Sequence, residues 1–492
     1  MGRERLFKRN EALTLDITDV GFGGKGIARI ETEKGPFVVF VQNTIPGQRV
    51  LARIEKCKSR HAECKLEEIL QRSSLERDTG FQTIPGAPYA NLPIEEQQKI
   101  KERTAFDLYR KIGGLEDVAS VYQGFISSPA VWHYRNKMEY SFSAILHNTE
   151  TGEKDDAFAL GFKRRGTWWA VENLENDSGL FDAEVETSLK SLRAWFESTG
   201  LPPWHPPQRS GFFRFLTVRK SRANGGLLFN LVTSSDGINQ FRRADFVTQL
   251  KSQFGDRVAG ILHTINDDRG ERVEARAGTS KLIFGEAFIT ENLLGLDFQV
   301  EMASFFQTNP ACAERLYHAV VQSVVKLTQK GNSNPNAVIL DLFCGTGTIA
   351  QLIAKETKQR VIGVEIVAQA IEDAKRSAKR NGITNVEFYA ADVGKFLLER
   401  PEFQSQIDVI VLDPPRAGIS PKSLRKVIRL GSKSIVYVSC NPATQARDIQ
   451  VLREWGYQLV SLQLVDQFPH TAHVEAIGVF ELTGESPKFP QK

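Results

Sequence analysis

The stretch AVILDLFCGTGTIA, residues 337–350, constrains the fold of this chain more than any other feature. Its opening part AVILDLF is apolar without alternation, which is typical of a parallel strand covered on both faces. Gly345 and Gly347 follow where the strand turns into a helix, and they let the backbone approach a ligand closely. The stretch predicts a doubly wound α/β domain that binds a ligand at the carboxyl ends of its strands.

Strands and helices alternate around this stretch, so residues 301–492 are predicted to form one Rossmann-like α/β domain. A helix over Ile366–Arg380 has apolar residues at helical spacing and a stop at Asn381 and Gly382. Strands are predicted in VIGVEI, VEFYAAD, DVIVLD, SIVYVS and HVEAIGVF.

Two further domains are predicted before residue 301. Residues 8–72 show short alternating strands separated by Gly-Gly, Lys-Gly and Pro-Gly turns, which indicates a small β-barrel. Residues 73–300 combine a helical segment, LPIEEQQKIKERTAFDLYRKIGG, with several strands, which indicates an α+β domain. A chain of 492 residues exceeds what one hydrophobic core usually supports, so a multidomain protein is expected.

Basic residues occur in two places where they can meet phosphates. Those in the barrel segment either bind phosphates or simply form an ordinary solvated strand face, and charge alone favours the solvated face. They are Arg49, Arg53, Lys56, Lys58, Arg60 and Lys65. In the central segment they stand beside two tryptophans, a pattern that can stack bases but more often reflects core packing. This second group is Lys163, Arg164, Arg165, Trp168 and Trp169.

Composition sets only broad limits. The chain is 41% hydrophobic and 25% charged, as expected of a folded protein, and its net charge of +4 is too small to indicate a polyanion partner. No apolar run reaches the roughly 18 residues that span a bilayer, and we expect no membrane association. Five scattered cysteines are too few for a disulfide scaffold, so we expect a reducing, cytoplasmic setting.

Carboxylates follow the glycine-rich turn at the chain spacing that is typical of residues binding an adenosine cofactor. Glu365 ends the next strand about 20 residues later, where it can accept hydrogen bonds from both ribose hydroxyls of an adenosine cofactor. Asp392 ends the following strand, on the side expected for adenine. Asp413 opens DPPR after the strand DVIVL, where it can lie near both cofactor and substrate, although such a turn can also be purely structural.

Cys440 and Glu475 are the candidate reacting groups. Cys440, in SCNP, ends a strand and is predicted to share a crevice with Asp413, although a cysteine there is usually a small hydrophobe. A thiolate adding to carbon 6 of uracil makes carbon 5 nucleophilic, and we expect a lowered pKa for this thiol. Glu475, in an apolar strand, is the candidate base, or else a structural carboxylate paired with a histidine or an arginine.

These sites, with FFQTNP at residues 305–310, resemble the RNA 5-methyluridine methyltransferases of the uracil-5 family, whose members act on transfer and ribosomal RNA. Residues 8–72 look like that family's TRAM domain, an oligonucleotide-binding-type barrel that helps to hold RNA. The resemblance implies Cys440 as nucleophile, Glu475 as base and S-adenosylmethionine as methyl donor. At matching positions it implies donor contacts from Gln307, Phe343, Thr348, Glu365, Asp392 and Asp413.

One departure from the family concerns metal. Many ribosomal-RNA members hold a four-iron cluster on a C-x5-C-G-G-C run after the barrel, where this chain has TGFQTIPGAPYANLP without cysteine. Cys57 and Cys64 lie inside the barrel and are short of the usual four ligands. We therefore predict a ribosomal-RNA-type member with no iron-sulfur cluster and no metal.

The expected partner is RNA, with ribosomal RNA favoured and transfer RNA open, and the expected assembly is a monomer. Methylation of an exocyclic amine is disfavoured, because Arg416 occupies the place of the aromatic residue that such enzymes carry after D-P-P. A non-catalytic RNA-binding protein on the same fold is the alternative from another class. It would need neither Cys440 nor Glu475.

Overall fold

The computed structural model describes residues 6–33, 35–148, 151–164, 167–270, 273, 279–330, 337–400 and 406–483. They divide into two compact units. The first unit consists of Met1–Arg77, Pro88–Pro129 and Ala311–Lys492, and the second of Asp78–Ala87 and Ala130–Pro310. Across the described ranges, no helix is both long enough and apolar enough to cross a membrane.

The first unit begins with a sheet over the predicted barrel segment. Its strands are β1 (Ala12–Asp16), β2 (Asp19–Val20), β3 (Gly26–Thr32), β4 (Gly35–Val41), β5 (Arg49–Cys57) and β6 (His61–Gln71). They lie in the order β1-β5-β6-β4-β3-β2, and only β4 and β6 are parallel neighbours. Alternate residues such as Val39, Val50 and Ile54 are fully buried in one core, which explains the period-two pattern.

A helix and a strand after the barrel also belong to the first unit. They are α1 (Ile94–Lys111) and β7 (Tyr122–Ile126), with a 3-10 turn at Ala119–Val121 between them. The helix has acidic residues in its first turn and basic residues in its last, as the helix dipole favours. Both elements lie within the residues 73–300 predicted as a central domain, so that boundary does not coincide with the division into units.

The second unit is a seven-stranded sheet with two helices and a hairpin. Its elements are β8 (Lys137–His147), β9 (Lys154–Lys163), β10 (Val171–Asn173), α2 (Ala183–Ser198), β11 (Phe213–Lys220), β12 (Leu227–Thr233), α3 (Arg243–Phe254), a 3-10 turn (Gly255–Arg257), β13 (Val258–Ile265), β14 (Thr279–Gly285), β15 (Phe288–Leu293) and β16 (Leu296–Glu301). The sheet order is β10-β9-β8-β11-β12-β13-β14, and β15 pairs with β16. This is the sheet-rich α+β arrangement that the sequence predicted.

The C-terminal segment folds as the predicted doubly wound sheet. Its elements are α4 (Pro310–Lys330), β17 (Val338–Leu342), α5 (Thr348–Thr357), β18 (Arg360–Glu365), α6 (Ala368–Arg380), β19 (Val386–Ala390), α7 (Val393–Glu399), β20 (Ile407–Leu412), α8 (Pro421–Ile428), β21 (Ser434–Ser439), α9 (Pro442–Glu454), β22 (Tyr457–Val465) and β23 (Glu475–Leu482). The sheet order is β19-β18-β17-β20-β21-β23-β22-β7, in which only β23 is antiparallel to its neighbours.

Helix α6 begins at Ala368, later than the predicted start at Ile366. The backbone N–H of Val367 donates to the Glu365 carboxylate at 3.0 Å, and Val367 itself is extended. This local hydrogen bond competes with helix formation, so the first two predicted helical residues remain outside the helix.

Candidate active site

Four parallel neighbours, β17, β18, β20 and β21, end at one edge of the C-terminal sheet. This edge brings together Asp413, which follows β20, and Cys440, which follows β21. Strand β23 runs in the opposite direction, with Ala476 paired to Ser439. The register ends at that pair; Glu475, the first residue of β23, precedes Ala476 in the chain, and Cys440 follows Ser439. Both predicted reacting groups therefore lie next to the last pair of one ladder, and the charge of Glu475 acts on the Cys440 thiol.

The glycine-rich turn between β17 and α5 depends on left-handed backbone conformations. Phe343 has φ 64°, Gly345 φ 54° and Gly347 φ 74°. A Cβ at Gly347 would lie 2.5 Å from the ring of Phe388, whereas a Cβ at Gly345 would meet nothing within 4 Å. Gly347 is thus required by packing directly before Thr348, the first residue of α5, and Gly345 faces open space that a ligand can approach.

Two predicted cofactor carboxylates also organise the backbone. Glu365 accepts hydrogen bonds from the N–H groups of Gly345, at 3.3 Å, and Val367, at 3.0 Å. It therefore joins the end of β18 to the glycine-rich turn. Asp392 is the N-cap of α7 and accepts from Lys395 N at 3.1 Å. This helix-capping role of Asp392 was not predicted from the sequence.

Asp341 is a buried carboxylate that is not among the site residues predicted from the sequence. It is fully buried in β17, and neither oxygen has a hydrogen bond of standard geometry to a described residue. Burial, together with the carboxylates of Asp413 and Glu365, raises its pKa well above the usual range, although the nearby Ala350 N–H favours the ionised form. Such a group is stable as an anion only when a donor or a cation approaches it.

The DPPR turn is attached to its neighbours on both sides. The Asp413 N–H donates to Leu342 O at 3.4 Å, and the Asn441 side chain donates to Arg416 O at 3.2 Å. Burial raises the pKa of Asp413 to about 7. This turn therefore holds a carboxylate that titrates near neutral pH at the edge of the sheet.

Cys440 lies between β21 and α9, whose N-cap is Asn441. The expectation of a lowered thiol pKa is wrong for this ligand-free chain: burial, followed by the charges of Glu475 and Asp413, raises the pKa of Cys440 to about 11. Arg416 opposes this shift but does not outweigh it. The thiol is therefore protonated at neutral pH in the absence of ligands.

Glu475 is 3% exposed at the start of β23. Burial and the charge of Asp413 raise its pKa to about 8, with Arg416 acting in the opposite direction. No side chain of the described residues donates a hydrogen bond to it. His470, a histidine close to Glu475 in the sequence, has Nδ1 3.1 Å from the Gln97 amide nitrogen.

These groups together form a crevice of acidic side chains with little nearby positive charge to favour their ionised forms. Asp341, Asp413, Glu475 and Cys440 all have raised pKa values, and Arg416 is the cation that lowers two of them. A cationic ligand with hydrogen-bond donors would stabilise the ionised forms of all four groups. The residues present therefore fit a sulfonium cofactor with an adenosine, bound at the glycine-rich turn and Glu365.

Gln307 lies in the second unit and is 9% exposed. It stands in the loop after β16, in which Phe305 is 75% exposed. The buried guanidinium of Arg219 donates to the carbonyls of Met302 and Ser304 and so fixes the start of this loop. Arg219 is not among the residues predicted from the sequence, because an arginine in a strand has the sequence pattern of a solvent-facing residue.

The basic face of the barrel is partly neutralised. Arg53 forms an ion pair with Glu67 at 2.5 Å, and Arg49 lies 3.9 Å from Asp16. These pairs favour the structural interpretation for part of the face. The remaining exposed cations cluster around the turn between β5 and β6 and comprise Lys56, Lys58 and Arg60.

The members of the basic and aromatic group of the central segment differ in their surroundings: some pack against other side chains, and one is exposed. Trp168 is 56% exposed, whereas Trp169 lies beneath the Lys154 ammonium, 4.3 Å from its ring centroid. Lys163 lies over a phenylalanine ring of β11 at 5.3 Å. Arg165 is outside the described residues. Trp168 is the member of the group best placed to meet a base.

Within the described residues, no group of three or more His, Cys, Asp or Glu side chains could hold a metal ion. The predicted absence of an iron-sulfur cluster remains a prediction.

Comparisons with known proteins identify the family to which the chain belongs. Residues 7–66 match a TRAM domain, and residues 333–471 match a methyltransferase domain. The chain is 36% identical to an uncharacterized RNA methyltransferase of Clostridium acetobutylicum, covering 96% of this chain and 98% of the relative. It is 34% identical to a Clostridium tetani protein of the same description, covering 96% of this chain and 97% of the relative.

Among solved structures, the fold is similar to the Pyrococcus abyssi tRNA (uracil-54, C5)-methyltransferase in complex with S-adenosyl-L-homocysteine. The TM-score is 0.69 at 24% identity, covering 95% of this chain and 99% of that chain. The likeness shows a shared fold, and the bacterial relatives show the family. The chain therefore belongs to the TRAM-containing, S-adenosylmethionine-dependent RNA methyltransferases.

Proposed function

We propose that this RNA methyltransferase forms 5-methyluridine. The observation that carries the proposal is that Cys440 and Glu475 adjoin the last pair of one ladder, with Asp413 close enough to shift both pKa values. Methylation of an oxygen or of an exocyclic amine requires neither a nucleophilic thiol nor a second base. Carbon 5 of uracil requires both, because it becomes nucleophilic only after addition at carbon 6 and must later lose its proton.

The proposed sequence begins with addition of the Cys440 thiolate to carbon 6, which converts the uracil into an enolate. Carbon 5 then forms a bond to the electrophilic methyl group that S-adenosylmethionine would supply, while the bond from that methyl group to the sulfonium sulfur breaks and S-adenosylhomocysteine is left. The Glu475 carboxylate then takes the proton from carbon 5. The electrons of that C–H bond restore the double bond between carbons 5 and 6 while the bond from carbon 6 to sulfur breaks, and Cys440 leaves as thiolate.

The raised pKa of Glu475 suits this role. A general base works best when its pKa lies near the working pH, and a value of about 8 meets that condition. An ordinary surface glutamate would be ionised but a much weaker base.

We propose that the methyl donor is held by the residues that the family resemblance implies. Glu365 and the turn at Gly345 form the adenosine side, supported by their mutual hydrogen bond of 3.3 Å. The other proposed contacts are Gln307, Phe343, Thr348, Asp392 and Asp413.

We propose ribosomal RNA as the substrate, with transfer RNA as the alternative that the name of the archaeal neighbour supports. Mapping 5-methyluridine in both RNAs, in cells with and without the gene, distinguishes them. Loss from transfer RNA alone would reject the ribosomal assignment.

The chemical proposal is tested with Cys440→Ala and a matched control, Cys64→Ala, which removes a buried thiol of the same unit in the barrel. We expect Cys440→Ala to abolish methylation and the denaturant-resistant adduct with 5-fluorouridine RNA. The control should retain both. Methylation that survives in Cys440→Ala would refute the covalent mechanism.

A further inference from the structure

The connection between β22 and β23, residues 466–474, leads directly to Glu475. Val465 and Glu475 are opposite each other in the ladder, so this connection closes the hairpin on which Glu475 stands. Much of it is buried although it has no regular structure; Asp466, Gln467 and His470 are at most 2% exposed. A buried loop needs partners for its polar groups, because water cannot supply them.

Lys101 of α1 supplies the first of these partners. Its ammonium lies 2.5 Å from the Asp466 carboxylate and donates to Phe468 O at 3.0 Å. Both side chains of the ion pair are completely buried. A buried ion pair contributes little net stability, since desolvation of the two charges offsets their attraction, but it fixes geometry.

Gln97 supplies the second partner from the same helix face, four residues earlier. Its side-chain oxygen accepts from His470 N at 2.7 Å, and its nitrogen lies 3.1 Å from His470 Nδ1. His470 has φ 65°, a left-handed conformation that costs free energy in a non-glycine residue. The Tyr89 N–H also donates to His470 O, at 3.0 Å.

The two anchors come from a helix that lies early in the chain and shares a core with the doubly wound sheet. Helix α1 ends shortly before β7, the edge strand of the same sheet, and is polar in composition, yet it buries Gln97 and Lys101 completely. A helix that only covered a core would bury apolar residues at these positions. The polar identity of Lys101 is explained by the loop that it holds, and that of Gln97 by this loop together with the Tyr89 and Leu92 carbonyls, to which the Gln97 amide also donates.

We propose that Lys101 and Gln97 are positioning residues that hold the connection 466–474 so that Glu475 faces carbon 5 of the substrate base. The inference rests on the proposed role of Glu475 as base. It assigns to α1 a part in one step of the reaction, the removal of the proton, rather than in folding alone.

This role makes a prediction that a purely structural role does not. Addition of Cys440 and formation of the bond from carbon 5 to the methyl group precede the work of Glu475. A displaced Glu475 therefore leaves these steps intact and slows proton removal, so that Cys440 stays bonded to carbon 6 of a methylated uracil. The methylated covalent adduct accumulates on natural RNA.

The experiment uses the full chain and RNA tritiated at uracil carbon 5, with methyl transfer, tritium release and denaturant-resistant adduct measured in single turnovers. Lys101→Met combined with Asp466→Asn removes both buried charges, and Gln97→Met removes the second anchor without leaving a charge. Tyr109→Phe is the control, because it lies on the same helix, is buried, and donates to Gln445 at 2.6 Å.

We expect tritium release to slow by about 100-fold in the anchor variants, the order of loss for a misplacement of about 1 Å. Methyl transfer should stay within about threefold of the parent rate, and the adduct should accumulate. Tyr109→Phe should show neither effect. Equal slowing of both steps, or parent-like rates in folded anchor variants, would overturn the positioning role.

Glu475→Gln separates the two proposals. If it accumulates the adduct and the anchor variants do not, the positioning inference fails while the proposed function stands. If Glu475→Gln itself releases tritium at the parent rate, the proposed base is wrong and the inference falls with it.

Discussion

The raised pKa of Glu475 has a measurable consequence for stability. The group titrates near 8 in the folded chain, against an ordinary value of 4.5. Between these values the folded state holds a proton that the unfolded state has released. The resulting stabilisation is complete below about pH 4.5 and is lost as the pH rises through about 8.

The size of the effect follows from the two pKa values. Integrating the linkage relation for one site between pH 5 and pH 8 gives a loss of about 3 to 4 kcal/mol in the free energy of unfolding. Glu475→Gln replaces the carboxyl by a neutral amide of similar shape and removes this dependence. The free energy of unfolding of the parent chain, minus that of the variant, should therefore fall by about 3 kcal/mol between pH 5 and pH 8.

The assay is urea unfolding of the ligand-free chain, followed by circular dichroism at pH 5, 6, 7 and 8. Taking differences between variants cancels the contribution of groups elsewhere in the chain. Val474→Ala is the matched control, since Val474 is the buried apolar neighbour and its loss should destabilise the chain equally at each pH. Parallel pH curves for parent and Glu475→Gln would refute the assigned pKa and the desolvation behind it.

Three further predictions follow from the same edge of the sheet. Gly347→Ala, which forces a Cβ against Phe388 at positive φ, should lower the unfolding free energy by about 1 to 3 kcal/mol in urea titrations. Asp341→Asn should raise the Tm of the ligand-free chain and weaken S-adenosylmethionine binding by about tenfold in calorimetry; tighter binding would contradict the crevice charge. Alkylation of Cys440 should accelerate from pH 7 towards about 11, and Arg416→Ala should slow it at pH 8, as measured by peptide mass spectrometry.

Much of the C-terminal fold could be predicted from the sequence because short motifs follow apolar strands. Parallel strands end at one edge, so Asp413 and Cys440 had to approach each other once the strands were recognised. Glu475 required one more inference, that its strand lies beside that of Cys440. The register of β21 and β23 agrees with this inference.

The remaining features depend on contacts that sequence patterns do not encode. The thiol pKa was predicted in the wrong direction because burial and two carboxylates act on Cys440 only in the folded chain. The attachment of Lys101 to Asp466 joins residues far apart in the chain. A buried lysine in a polar helix looks like any exposed lysine until its partner is known.

The charges of the crevice also explain why an unreactive thiol is compatible with a nucleophilic role. In the ligand-free chain burial, followed by the charges of Glu475 and Asp413, keeps Cys440 protonated, and burial together with Asp413 raises the pKa of Glu475. Each of these upward pKa shifts becomes smaller when positive charge enters the crevice, because an opposite charge favours the ionised form of an acid. Reactivity of the thiol is therefore coupled to occupancy of the site. An enzyme built this way keeps its thiol protected from oxidation and alkylation between turnovers, since only the thiolate reacts.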